Sequence, residues 1–98
     1  MIRHIFMATI KDGVADEQVS KVMSEMLTKL QAEPVVKDIR VGRSLGLVGP
    51  TNTVTMVIDL DSAHDFHALL ATDAHKSLSA SAGEVFRTDN FVFSQINI

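Results

Sequence analysis

"DEQVSKVMSEMLTKLQAE", residues 16–33, carries the strongest structural pattern in this sequence. Its apolar residues recur at intervals of three and four, which places them along one side of an α-helix. They are Val19, Val22, Met23, Met26, Leu27 and Leu30. Asp16 or the residue before it begins the helix, and Pro34 ends it. The pattern therefore predicts an amphipathic helix that buries one side against the rest of the protein.

Four segments around this helix have the composition of β-strands. They are "IRHIFMATI" (2–10), "VVKDIRVG" (35–42), "NTVTMVIDL" (52–60) and "NFVFSQINI" (90–98). A second helix is predicted over residues 61–71, with Ser62 and Asp65 as a capping box. A short third helix follows over 72–82. The order β-α-β-β-α-β predicts an α+β, ferredoxin-like fold, in which a four-stranded antiparallel sheet carries its helices on one face.

The predicted second helix has four apolar residues that we expect to form its buried side. They are Ala63, Phe66, Leu69 and Leu70. Two histidines on the same helix, His64 and His67, are three residues apart and could reach one metal ion. No third ligand is suggested, so we expect surface histidines and no metal site.

Length and composition restrict the classes of function. The chain has 98 residues, which fits one domain over residues 1–98. Its net charge is -3 and its basic residues are scattered, so a nucleic-acid partner is not expected. The absence of cysteine excludes disulfides and Cys-based zinc sites. No signal peptide and no apolar run of about 20 residues is found, so we expect a cytoplasmic protein that does not bind membranes.

A glycine-rich stretch, "GRSLGLVGP" (42–50), leads into a strand and contains no lysine. A phosphate-binding loop would open a helix and end in lysine, so we interpret this stretch as a hairpin loop. We expect no cofactor.

The sheet face away from the helices is predicted to be apolar. It would carry Ile5, Met7 and Val92, among others. An apolar face of that size is not normally left to water in a monomer. We therefore expect a homodimer with two-fold symmetry, packed sheet against sheet.

Two histidines are the candidate chemical residues. His4 lies on the same face of the first strand as Ile2 and Phe6, where a histidine satisfied by one hydrogen bond is the ordinary alternative. His75 follows Thr72 and Asp73, either of which could cap the third helix. A helix N-terminus favours neutral imidazole, which is suited to general-base catalysis. The alternative is that His75 only begins a helix.

Three stretches resemble the stress-responsive dimeric α/β-barrel (Dabb) family. They are "RHIFMATIKDGVADEQV" (3–19), "DIRVGRSLG" (38–46) and "LLATDAHKSL" (69–78). The resemblance spans nearly the whole chain. It implies a ferredoxin-like monomer, a dimer whose two sheets form a barrel, and a link to the stress response.

One branch of that family is similar to the plant olivetolic acid cyclase, which closes a linear polyketide by aldol condensation. Its first-strand histidine and its "AH" histidine face a pocket, and these positions are His4 and His75 here. Two positions depart from this pattern. The cyclase has a tyrosine on the preceding helix where this chain has Leu69, and the family has a histidine in the third strand where this chain has Thr53. The resemblance thus implies His75 and His4 as candidate catalytic residues, in a pocket lined by Phe6, Leu69, Leu78, Phe91 and Phe93.

Three functions fit these expectations. The first is a homodimer with a mainly apolar pocket that binds a small organic molecule. The second is a lyase, cyclase or isomerase that uses His75 as general base and His4 as an orienting partner. The third is a structural stress protein without a ligand. A pocket of a few hundred cubic ångströms that contains both histidines would favour the first two.

Overall fold

The β-branched and aromatic segments predicted as strands form one antiparallel sheet. The computed structural model describes residues 1–98. Its elements are β1 (Ile2–Thr9), α1 (Asp16–Gln31), β2 (Asp38–Arg43), β3 (Thr53–Leu60), α2 (Ala63–Leu70), α3 (Asp73–Ala82) and β4 (Val92–Asn97). The strands lie in the order β2-β3-β1-β4, and every neighbouring pair is antiparallel. This confirms the predicted ferredoxin-like fold.

The central strand β1 separates the two faces of the sheet by simple alternation. On the core face, His4 lies opposite Ile58 of β3 and Gln95 of β4. Phe6, two residues on, lies opposite Met56 and is buried. The same face therefore holds both the hydrophobic core and the first candidate histidine.

Helix α1 packs against β2 and α3 with the apolar side that its sequence predicts. Val19, Met26 and Leu30 are buried. Leu27 was predicted to share that side, but it is 37% exposed, so this part of the prediction was wrong: Leu27 lies at the edge of the apolar stripe, turned away from the buried Val19 and Leu30. The helix ends at Gln31, shortly before Pro34, as expected from the constraint that proline places on the preceding residue.

Helices α2 and α3 begin at side-chain caps. The Ser62 hydroxyl accepts a hydrogen bond from the Asp65 amide, and the Thr72 hydroxyl accepts one from the His75 amide, both at 3.2 Å. Thr72 rather than Asp73 is therefore the cap of α3. The predicted buried side of α2 is partly wrong, because Ala63 and Leu70 are exposed and Leu69 alone is fully buried.

The sheet face away from the helices is open and mixed in character. Ile5 and Met7 are half-buried, and Val92 is exposed. Near one end, Arg3 donates two hydrogen bonds to the carboxylate of Asp59, at 2.7 and 2.9 Å. The loop between β2 and β3 turns with positive φ at Gly46 and Gly49, in agreement with the predicted hairpin loop. None of the three helices is long and apolar enough to cross a bilayer.

Candidate functional site

A cavity of about 350 Å³ lies between the β1–β4 half of the sheet and the three helices. Twelve of its fifteen lining residues are hydrophobic. The lining residues are His4, Phe6, Val22, Met26, Leu30, Met56, Phe66, Leu70, His75, Leu78, Ser79, Ala82, Phe86, Phe91 and Phe93. No acidic or basic side chain apart from the histidines reaches the cavity wall. The site is therefore an apolar space with a few neutral polar groups.

The structure brings six of the seven predicted site residues to this cavity. They are His4, His75, Phe6, Leu78, Phe91 and Phe93. The placement of Leu69 was wrong: its side chain is 1% exposed and packs in the core, while Leu70 lines the cavity. Successive helical residues point about 100° apart, so the two leucines cannot face the same surroundings, and α2 directs Leu69 into the core and Leu70 toward the cavity.

His4 is held in place on several sides. Its side chain is buried, and its ring lies 4.8 Å from that of Phe66 and 6.1 Å from that of Phe93, measured between centroids. The Gln95 amide nitrogen lies 3.0 Å from Nδ1 of His4. With this amide orientation Nδ1 accepts a hydrogen bond, and the proton of the neutral ring is on Nε2.

Burial lowers the pKa of His4, and the neighbouring His75 lowers it further, because two imidazolium ions in one cavity repel each other. His75 lies in the first turn of α3 and is partly buried. Burial lowers its pKa too, while the nearby carbonyl of Leu70 acts in the opposite direction. Both rings are therefore biased toward the neutral form, and burial is the main cause for each of them.

Ser79 is the third polar side chain of the cavity. It follows His75 by four residues on α3, so the two side chains share one face of the helix. The sequence reasoning missed Ser79, although the i,i+4 spacing after a candidate histidine was a usable signal. The three side chains offer hydroxyl and imidazole groups, each able to donate or accept a hydrogen bond.

His64 and His67 are exposed on α2, away from the cavity lining. No group of three or more His, Asp or Glu side chains is arranged to hold a metal ion.

Solved structures with the same fold cover almost the whole chain. A dimeric ferredoxin-like protein of unknown function from Thermobifida fusca is 30% identical, with a TM-score of 0.84 over 99% of this chain and 90% of that one. A dimeric protein of unknown function and ferredoxin-like fold from Bacteroides fragilis is 19% identical, with a TM-score of 0.78 over 99% and 95%. SnoaB, a cofactor-independent oxygenase from Streptomyces nogalater, is 9% identical, with a TM-score of 0.79 over 99% and 92%. No curated protein sequence matches this chain significantly.

The family model that matches the chain describes the stress-responsive A/B barrel domain, and the match covers residues 2–94. This range includes the three stretches that carry the resemblance, residues 3–19, 38–46 and 69–78. The T. fusca relative has the same fold at 30% identity over nearly its full length. This chain therefore belongs to the stress-responsive A/B barrel (Dabb) family.

Proposed function

We propose that this protein is a homodimer that binds a small, neutral and mainly apolar organic molecule in the cavity of each copy. The observation that carries the proposal is the cavity itself, about 350 Å³ with a hydrophobic lining. This volume lies within the usual range for small-molecule sites. The open space also supports ligand binding over a purely structural role, since Phe91 and Phe93 line the cavity and leave it unfilled.

The polar groups restrict the ligand further. His4 and His75 are biased toward neutral imidazole by burial. A carbonyl or hydroxyl group of the ligand could exchange hydrogen bonds with these rings and with Ser79. A carboxylate or phosphate would lose its hydration without meeting a lysine or arginine, and this desolvation costs on the order of several kcal/mol. The chemistry of the wall thus favours a ligand with one or two uncharged polar groups.

Binding can be tested with N-phenyl-1-naphthylamine, a neutral fluorescent probe that is mostly apolar. We expect saturable binding to the wild-type protein and weaker binding to His75→Ala, whose fold should lose about 1 kcal/mol or less. His67→Ala is the matched control, because His67 is an exposed histidine on α2. Equal affinity of all three proteins, or no saturable binding, would contradict the proposal.

The dimer part of the proposal rests on the open sheet face and on relatives that are dimeric. Met7 is half-buried in the single copy, on the face away from the helices. Met7→Lys would place an unpaired charge in the interface and should give a monomer or an unfolded chain. Leu27→Lys on α1 is the control. Light scattering that finds Met7→Lys still fully dimeric would count against this interface.

A second candidate function is general-base catalysis by His75, as in a lyase, cyclase or isomerase. The observation that favours it is a neutral imidazole in an apolar cavity beside a second histidine. SnoaB, which has this fold, is a cofactor-independent oxygenase, so enzymes of this fold can act without a cofactor.

The Kemp elimination of 5-nitrobenzisoxazole is a suitable test, because it needs a base in an apolar site and no further group. Loss of a general base should lower the rate by about a hundredfold or more in His75→Ala. His67→Ala should leave the rate unchanged. A wild-type rate no higher than that of free imidazole would count against a general base in this cavity.

A further inference from the structure

Strand β4 is at once a wall of the cavity and an edge of the sheet. Phe93, opposite Phe6, lines the cavity on the helix side. Val92 and Ile96 point to the other face, opposite Met7 and Arg3 of β1. The side chains of β4 therefore face the cavity on one side and the open sheet face on the other. Because they share one short strand, a change in the order of its backbone affects both sides.

This wall is weakly supported in a single copy. All six residues of β4 are exposed, and the strand pairs with β1 alone. Phe93 is 58% exposed although it lines the cavity. Few buried contacts and a single strand neighbour are the marks of a segment that opens locally at low free energy. The ligand would thus bind against the one strand of the sheet that has no buried or half-buried residue.

The far face of β4 continues into the apolar part of the open sheet face. Val92 is 51% exposed and Ile96 49% exposed. Ile5 and Met7 adjoin them on β1 and are only half-buried. A two-fold dimer brings such a patch against its own copy, and the 30% identical relative is dimeric. A second copy on this face would cover one face of β1 and β4, while residues on the opposite face of the same two strands line the cavity.

We propose that dimer association and ligand binding are coupled through β4, so that the second copy orders the cavity wall and each process strengthens the other. This inference rests on the proposed function, because it concerns the same cavity. Coupling between two binding events is reciprocal by thermodynamic necessity. A ligand against Phe93 favours the ordered strand, and the ordered strand presents Val92 and Ile96 to the second copy.

The test uses Val92→Lys, which places a charge on the interface face without altering the lining of the cavity. Leu27→Lys on α1 is the matched control and should remain dimeric. We expect Val92→Lys to be monomeric and to bind N-phenyl-1-naphthylamine at least about fivefold more weakly than wild type, the lower end of typical couplings. In sedimentation equilibrium, the same probe at saturation should tighten the wild-type dimer by the square of that factor, about 25-fold, because each dimer contains two cavities.

A second measurement needs no ligand. Hydrogen exchange of the β4 amides should be slower in the wild-type dimer than in wild-type protein diluted below its dimer dissociation constant. A wild-type protein that binds no probe would refute the proposed function, and the exchange rates would still decide whether the second copy orders β4. Equal exchange in monomer and dimer, equal probe affinity in Val92→Lys, or a Val92→Lys protein that stays dimeric would overturn the coupling.

Discussion

Replacing Ala82 with leucine should stabilise the protein and block its ligand site at the same time. Ala82 is the last residue of α3 and lines the cavity of about 350 Å³. The added isopropyl group can therefore enter empty apolar space. Roughly three buried carbon groups are worth up to about 2.4 kcal/mol. Fixing the leucine side chain costs about 0.5 to 1 kcal/mol. The net gain of about 1.5 kcal/mol should raise Tm by about 6 to 12 °C in a domain of this size.

Thermal unfolding followed by circular dichroism measures the gain, and fluorescence of N-phenyl-1-naphthylamine measures the loss of binding. Ala80→Leu is the control, because Ala80 is exposed on the same helix and the exchange alters helix propensity in the same way. We expect that control to change Tm little and to bind normally. A lower Tm for Ala82→Leu would mean that the space is already filled. An unchanged affinity would mean that the probe binds elsewhere.

Three further perturbations test the core, the cavity histidines and the sheet ion pair. Leu69→Ala should lower the free energy of unfolding by about 2 to 5 kcal/mol in urea titrations, because Leu69 is buried; a loss typical of surface positions would refute its place in the core. Burial lowers the pKa of His4 and of His75, so the unfolded chain binds more protons than the folded protein between the folded pKa and the ordinary value of about 6.5. The contribution of the two histidines to the free energy of unfolding should therefore be fully present above about pH 6.5 and should fall as pH drops through that window. A free energy of unfolding from urea denaturation that does not change with pH there would contradict the burial of the two rings. The two hydrogen bonds from Arg3 hold the pKa of Asp59 below its usual range, so Arg3→Gln should raise it in a carboxyl NMR titration, and an unchanged value would argue against the pair in solution.

The sequence predicts best those elements in which the spacing of apolar residues repeats over several turns. The stripe of α1 repeats over four turns, and its phase is fixed well enough to place Val19, Met26 and Leu30 in the core. Helix α2 has eight residues, too few to fix its rotation about its own axis. The periodicity therefore placed both Leu69 and Leu70 on one buried side, and the family resemblance placed Leu69 in the pocket; in the structure Leu69 lies in the core and Leu70 lines the cavity.

The candidate site was less accessible to sequence reasoning. His4 and His75 are far apart in the chain, and no periodicity relates them; the family resemblance alone implied that they share a pocket. Met26 and Leu30 line the cavity as well, but an apolar helix side has the same pattern against a core and against a cavity. A cavity is the space that three helices leave unfilled, and its size depends on their separation, which no local pattern specifies.

The pairing of β4 has a consequence for how the chain folds during its synthesis. Of the four strands, β1 is translated first and β4 last, yet they are neighbours in the sheet. Until β4 has left the ribosome, one edge of β1 has no partner, and the nascent sheet can hold only three strands. Contacts this distant in sequence form slowly, because a long loop must close before they are made. An exposed β1 edge is also a template for pairing with another nascent chain, so the chain is most prone to aggregate in the interval between the emergence of β3 and that of β4.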